Sequence, residues 1–102
     1  MPAKTKPAAK VECLNPNTGN RLLIDAGTYT LFSKAIYHTL MGGKSLTFTQ
    51  MVDGVWDCFQ KQNTAFDGSV EWYTVTVKNN MEAKGEMATF MEKGKKLHRL
   101  KK

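Results

Sequence analysis

The chain has 102 residues, the usual length of one domain, which excludes a two-domain enzyme. Its composition, 41% hydrophobic and 24% charged, is that of a globular protein, and no run approaches the roughly 18 apolar residues of a membrane span. The formal net charge of +6 points to an anionic partner only where the basic side chains gather in one place.

The N-terminal part of the chain predicts a tail followed by a hairpin. Residues 1–10 contain Lys but no apolar segment of the kind a secretory signal carries, so we expect a disordered basic tail and a cytoplasmic protein. Residues 11–14 and 21–24 flank a run of Asn, Pro, Thr and Gly, which predicts a short β-hairpin. Cys13 and Cys58 are expected to be buried and reduced.

Three helices are predicted from the helical spacing of apolar residues and from capping residues at their starts. Asp25 and Ser69 are suitable N-caps, and Thr47 with Gln50 has the spacing of a capping box. The predicted helices cover residues 26–41, from about 47 to 63, and from 69 to about 84. Their expected core consists of Tyr29, Phe32, Ile36, Leu40, Met51, Val55, Phe59, Val77 and Met81.

The third predicted helix has apolar residues on two sides. Its core stripe is predicted to consist of Val70, Tyr73, Val77 and Met81. Trp72, Val75 and Asn79 point away from that stripe. Either Trp72 packs against the first hairpin, or this side is a contact surface for a partner or for a second copy of the chain.

The chain closes on a predicted basic hairpin. Residues 87–91 and 97–100 read as strands around a tight turn at Lys93-Gly94, so the domain is expected to span 11–100, with 101–102 as a second basic tail. Residues 11–92 carry six basic side chains against all nine acids, whereas 93–102 carry six basic side chains and no acid. The net positive charge therefore lies at the two ends.

The order helix, short strand, helix, loop, helix, basic hairpin resembles the winged helix-turn-helix over about residues 26–100. The most telling part is 77–90, with its Val77, Met81, Gly85 spacing, followed by 93–100. The chain is also similar to a family of short bacterial proteins of unknown function, on Glu12–Gly19, Phe32–His38 and Glu92–Leu100, and that similarity implies no activity. The expected fold is α+β: a three-helix winged helix-turn-helix with an N-terminal β-hairpin and a basic C-terminal wing.

The winged-helix resemblance implies a double-stranded DNA-binding protein, such as a small transcriptional regulator, whose third helix enters the major groove. The groove-facing residues would be Ser69, Glu71, Trp72, Val75, Lys78, Asn79 and Glu82. Asn79 would pair with adenine, and Lys78 would reach a phosphate or a guanine. The wing contacts with phosphates would come from Lys93, Lys95, Lys96 and Arg99.

The charge of the third helix departs from that pattern. Glu71 and Glu82 balance Lys78 and Lys84, whereas a helix that enters a groove is usually basic. The departure favours a wing-led mode of DNA binding, or the alternative of a protein-interaction or homodimerisation module that uses the Trp72/Val75 face.

Catalysis is not expected, because the chain offers no convergent set of acid, base and nucleophile. His38 and His98 are predicted to be surface histidines. The two Cys and two His lack the close paired spacing of a zinc site, so neither metal nor cofactor is expected. Asp53 and Asp57, one turn apart, read as a solvated helix face.

Overall fold

The computed structural model describes residues 10–64, 66 and 68–101. The structure is α+β, with three helices and two antiparallel hairpins. Its elements are β1 (Lys10–Leu14), β2 (Arg21–Asp25), α1 (Ala26–Leu40), α2 (Phe48–Lys61), α3 (Val70–Ala83), β3 (Met87–Glu92) and β4 (Lys95–Leu100). Lys10 already belongs to β1, and the rest of the expected N-terminal tail, residues 1–9, lies outside the described residues, as does Lys102.

The three helices begin at the predicted caps. The Asp25 side chain accepts from the Thr28 N–H at 3.1 Å, and the Ser69 hydroxyl accepts from the Trp72 N–H at 3.0 Å. At Thr47 both bonds of the capping box are present, to and from Gln50. These side chains satisfy donors that the first turn of a helix leaves without partners, which is why local sequence predicts the helix starts well.

The core lies where the three helices meet, and Phe32 of α1 is at its centre. The Phe32 ring is fully buried, with its centroid 5.2 Å from that of Phe59 and 5.4 Å from that of Tyr73. Eight of the nine expected core residues are buried; the ninth, Tyr29, is half-buried, and its hydroxyl accepts a hydrogen bond from the Asn80 amide at 2.9 Å. Cys13 and Cys58 are buried and free, as expected.

The C-terminal hairpin is attached to the chain between α1 and α2. The Leu46 N–H donates to the His98 carbonyl at 3.0 Å, and the His98 N–H donates to the Leu46 carbonyl at 2.8 Å. Leu46 therefore lies beside β4 as a one-residue strand, on the side opposite β3.

The prediction that His98 is a surface residue is wrong, since its exposed fraction is 2%. Side chains alternate along a strand, and His98 falls on the face of β4 that turns toward α3. Its ring Nδ1 lies 3.0 Å from the Thr89 hydroxyl and 3.5 Å from the Glu82 carboxylate. Because these partners belong to β3 and α3, the sequence of β4 alone does not predict that His98 is buried.

None of the helices in the described ranges combines the length and the apolar character that a membrane crossing needs.

Helices α1 and α2 approach closely at Gly54. A Cβ added there would meet Thr39 Cγ2 and lie 2.7 Å from Thr39 Oγ1. The Thr39 hydroxyl donates to the Ala35 carbonyl at 2.8 Å in a buried setting. Because both heavy atoms on the Thr39 Cβ lie toward Gly54, every staggered rotamer of Thr39 leaves one of them in the way.

We expect Gly54→Ala to lower the free energy of unfolding by about 1–3 kcal/mol, the usual cost of overpacking. In an open helix the same change would raise stability by about 1 kcal/mol, since Gly is the poorer helix former. Urea denaturation followed by circular dichroism measures the difference.

The control is the same change in a Thr39→Ala background. Without Cγ2 and Oγ1, the two closest contacts of the added methyl group are gone and the Cβ of residue 39 lies 3.1 Å away, so Gly54→Ala should become neutral or stabilising. Equal losses in both backgrounds would show that the contact with Thr39 does not explain the glycine.

Candidate nucleic-acid interface

The outer face of β4 carries a row of cationic side chains. Alternation along the strand places Lys95 and Arg99 on the same face, and Lys101 continues the row while its backbone N–H donates to the Glu86 carbonyl at 2.9 Å. All three side chains are exposed. The Arg99 guanidinium lies over the Phe90 ring of β3, 5.5 Å from its centroid.

The turn of this hairpin adds two more exposed cations. Lys93 (φ 52°) and Gly94 (φ 79°) both have positive φ, as a two-residue type I′ turn requires. The turn presents Lys93 at the tip, and Lys96 is exposed at the start of β4. The structure thus brings together all four residues predicted as wing contacts.

A buried polar cluster joins this hairpin to α3. The Glu82 carboxylate of α3 accepts from the Lys78 ammonium at 3.1 Å and from the Thr89 hydroxyl of β3, and it lies beside the His98 ring of β4. The exposed fractions of the Lys78, Glu82 and His98 side chains are 6%, 13% and 2%. One carboxylate therefore contacts groups from three elements.

The surroundings of Glu82 stabilise its charged form. Burial on its own would raise the pKa of this carboxyl, but the hydrogen bonds with His98 and Thr89, together with the nearby Lys78 ammonium, lower its pKa to about 2. Glu82 is therefore ionised at neutral pH and holds the hairpin against α3.

This cluster removes two residues from the groove-facing set predicted for α3. Lys78 is buried and its ammonium is bound to Glu82, so it does not present a charge to a phosphate or a guanine. Glu82 points toward the hairpin rather than outward. Helical spacing alone predicted that Lys78 and Glu82 face outward, but the C-terminal hairpin covers that side of α3. Because a buried charge needs a partner of opposite charge, the two side chains pair with each other.

The remaining predicted groove residues do share the outer side of α3. Glu71, Trp72 and Ser69 are exposed, whereas Val75 and Asn79 are half-buried. Glu71 is the charged member of this set, so the face carries no cation to attract a phosphate.

The first hairpin lies alongside this face. The Asn80 side chain accepts from the Leu14 N–H at 3.1 Å, which fixes β1 against α3. A depression of about 290 Å³ lies between them, and Trp72, Asn79 and Leu22 are among its lining residues. Trp72 keeps an exposed fraction of 44% there, so the hairpin flanks its ring without covering it.

Sequence reasoning missed Lys34, which belongs to the basic surface. Lys34 of α1 lines a cleft together with Arg99 and Lys101, so the row of cations continues from β4 onto α1. Lys34 is a single exposed lysine in an otherwise ordinary helix, and no pattern in its neighbourhood could have revealed the proximity. In the part of the chain that the structure describes, no three His, Cys, Asp or Glu side chains gather into a potential metal site.

Comparison with known families places most of the chain in a family of unknown function. The sequence profile of a family described as a family of unknown function (DUF6958) matches residues 10–97. Neither a curated protein nor a solved structure matches the chain.

The Glu82 cluster makes stability depend on pH. Since the pKa is lowered from about 4.5 to about 2 on folding, the ionised carboxylate stabilises the fold above pH 4.5, on the order of 3 kcal/mol at about 1.4 kcal/mol per pH unit. That contribution is lost as the pH falls from about 4.5 toward 2. We therefore expect Glu82→Gln to lower the free energy of unfolding by about 3 kcal/mol at pH 7, measured by urea denaturation.

At about pH 3 the gap between the wild type and this variant should fall to less than half, because this carboxyl is then protonated in the unfolded chain, while in the folded chain its low pKa keeps it mostly ionised. Glu71→Gln on the exposed side of α3 is the matched control and should change stability by less than about 0.5 kcal/mol. A gap for Glu82→Gln that stays constant between pH 7 and 3 would contradict the assigned cluster.

Proposed function

Because the chain belongs to the DUF6958 family, whose function is unknown, we propose a function from its own geometry: a non-enzymatic winged-helix protein that binds double-stranded DNA. The observation that carries the proposal is the exposed cationic row of Lys95, Arg99 and Lys101 on β4, with Lys93 and Lys96 at the turn. A role as a small transcriptional regulator is consistent with this activity.

The arrangement of elements supports a winged helix. Leu46 supplies the short strand between α1 and α2, and its two backbone bonds to His98 attach that strand to the C-terminal hairpin. Helix α3 precedes the hairpin directly and is clamped to it through Glu82. The hairpin is therefore a rigid wing beside α3 rather than a loose tail.

The charges support a wing-led mode of binding. Phosphate contacts are independent of sequence and supply a large share of protein–DNA affinity, and here five exposed cations are grouped on the wing: Lys93, Lys95, Lys96, Arg99 and Lys101. On α3 the buried Lys78 cannot contribute to phosphate binding, and Glu71 would be repelled by a phosphate. The wing therefore holds the duplex backbone, with α3 over the major groove.

In this orientation of the duplex, the half-buried amide of Asn79 is the group that contacts a base, since an Asn side chain can form two hydrogen bonds with adenine. Ser69, Trp72 and Val75 complete the surface that faces the groove. The first hairpin flanks this surface, which limits how deeply α3 enters.

One observation favours a second candidate function, a protein-interaction or dimerisation module on the same fold. Trp72 and Leu22 keep exposed fractions of 44% and 46% on either side of one depression, so two large apolar side chains lie together at the surface, as at interaction sites. A second copy of the chain would cover both.

We expect Lys95→Ala with Lys96→Ala to weaken duplex binding for all sequences alike, because both cations contact phosphates. Fluorescence anisotropy with a mixed-sequence duplex between about 50 and 200 mM salt should show binding that falls steeply with salt. In the double variant the logarithmic salt slope should shrink by about two.

The charge-matched control is Arg21→Ala with Lys61→Ala, two exposed cations that already pair with Glu12 and Asp57 away from the wing. This control should bind nearly as the wild type does. Equal losses in the two double variants would show that only net charge matters, and no binding by the wild type at 50 mM salt would overturn the proposal.

Trp72→Ala separates the second candidate from the first. If Trp72 seals a dimer, its removal should weaken self-association about thirtyfold or more, as for an interface hot spot. Sedimentation equilibrium measures this, with Trp56→Ala, an exposed tryptophan on α2, as the control. A wild type that stays monomeric at high concentration would remove the dimer hypothesis.

A further inference from the structure

An open cleft lies between the end of α1 and the base of β4, apart from the α3 face. Its volume is about 1100 Å³. It is lined by Lys34, Tyr37, His38, Met41, Gly42 and Gly43 from α1 and its end, and by Arg99, Leu100 and Lys101 from the C-terminal hairpin. Neither the element order nor the DNA-binding proposal requires a cavity in this place.

The walls of the cleft include large apolar side chains that no other part of the described chain covers. The exposed fractions of Tyr37 and Met41 are 40% and 55%, and Leu100 is half-buried beside them. A tyrosine ring favours stacked or edge contacts with another ring, and a methionine sulfur favours contact with an aromatic ring. These walls therefore suit an aromatic group better than an ion alone.

The charged residues in the lining are all basic. Lys34, Arg99 and Lys101 contribute the cations, and the remaining polar side chains of the lining are those of Tyr37 and His38. The carboxylate of Glu86 contacts one lining residue, since it accepts from the Tyr37 hydroxyl at 3.2 Å, and it also pairs with Lys84 at 3.6 Å. That pairing leaves the lining with a net positive charge.

The end of α1 contributes carbonyl groups that repel an anion and two glycines that leave the cleft accessible. The carbonyls at a helix C-terminus carry about half a negative charge, which opposes an anion, but three full positive charges outweigh it. Gly42 and Gly43 have φ values of 86° and 79°, and a Cβ at either would meet nothing within 4 Å. The mouth of the cleft is therefore open backbone that a flat ligand can approach.

We propose that this cleft binds a small aromatic anion, with its ring against Tyr37 and Met41 and its carboxylate, sulfonate or phosphate among Lys34, Arg99 and Lys101. The proposal follows from the pairing of exposed apolar walls with a basic rim, and it does not depend on DNA binding. A phosphodiester backbone alone would use the cations and leave the apolar walls uncovered.

The cleft and the wing share Arg99 and Lys101. A bound aromatic anion and a duplex that contacts these residues therefore exclude each other. This mutual exclusion rests on the proposed function, whereas the binding of a small anion does not. Duplex binding and anion binding are therefore measured in separate titrations, and failure of the first leaves the second untouched.

The probe is 8-anilinonaphthalene-1-sulfonate, an aromatic anion whose fluorescence rises in apolar surroundings. We expect one molecule to bind per folded chain, with a Kd below about 1 mM. The neutral analogue N-phenyl-1-naphthylamine, which has the rings without the sulfonate, should bind at least tenfold more weakly. Adenosine monophosphate as a competitor shows whether a phosphate-bearing ring is accepted as well.

Two variants test the two halves of the site. Lys34→Gln with Lys101→Gln removes two exposed cations and should weaken probe binding at least tenfold; Met41→Glu places an acid on the apolar wall and should abolish binding. Thermal melts confirm that each variant is folded. The charge-matched control is Arg21→Gln with Lys61→Gln, and the apolar control is Trp72→Ala.

Loss of binding in both cleft variants and retention in both controls supports the site. The proposal is overturned by any of three results: no binding by the wild type, equal binding of the neutral analogue, or loss in Trp72→Ala with retention in the cleft variants. The last result would place the probe in the depression beside the first hairpin.

Discussion

The Glu82 carboxylate is the constraint on which the arrangement of α3 and the C-terminal hairpin depends. It accepts hydrogen bonds from Lys78 on its own helix and from Thr89 of β3, and it lies 3.5 Å from the His98 ring of β4. A charge at this depth is stable only with such partners, and the same partners hold its pKa near 2. The hairpin therefore has one position relative to α3, and the cations on its outer face point away from the core.

The cluster also determines which cations of the protein are exposed. It uses Lys78, the one lysine of α3, as an internal counterion, so the helix that the winged-helix resemblance assigns to the major groove offers no exposed cation. A group of exposed cations lies instead on β4 and its turn and continues to Lys34. Both proposals, a wing that holds phosphates and a cleft that holds an aromatic anion, draw on this separation of charge.

Sequence alone predicted the three helices, the two hairpins and nearly all of the core. Caps, turns and apolar periodicity are local, and at Asp25, Thr47 and Ser69 the side chains make the bonds that their positions imply. Lys93, Lys95, Lys96 and Arg99 were placed on the C-terminal hairpin for the same reason, and the structure shows all four exposed there. The sequence did not predict the burial of His98 and Lys78 or the position of Lys34 beside the C-terminal hairpin. The surroundings of these side chains come from elements that are distant in the sequence, so neighbouring residues carry no sign of them.

The central claim is that the wing, rather than α3, makes the main contact with a duplex. The most direct test is a ¹⁵N–¹H correlation spectrum of the full chain during titration with a short mixed-sequence duplex. Wing-led binding predicts that the amides of 93–101 shift most and first, with smaller changes at Ser69, Trp72 and Asn79. Large shifts along the outer face of α3 with an unchanged hairpin would contradict the account.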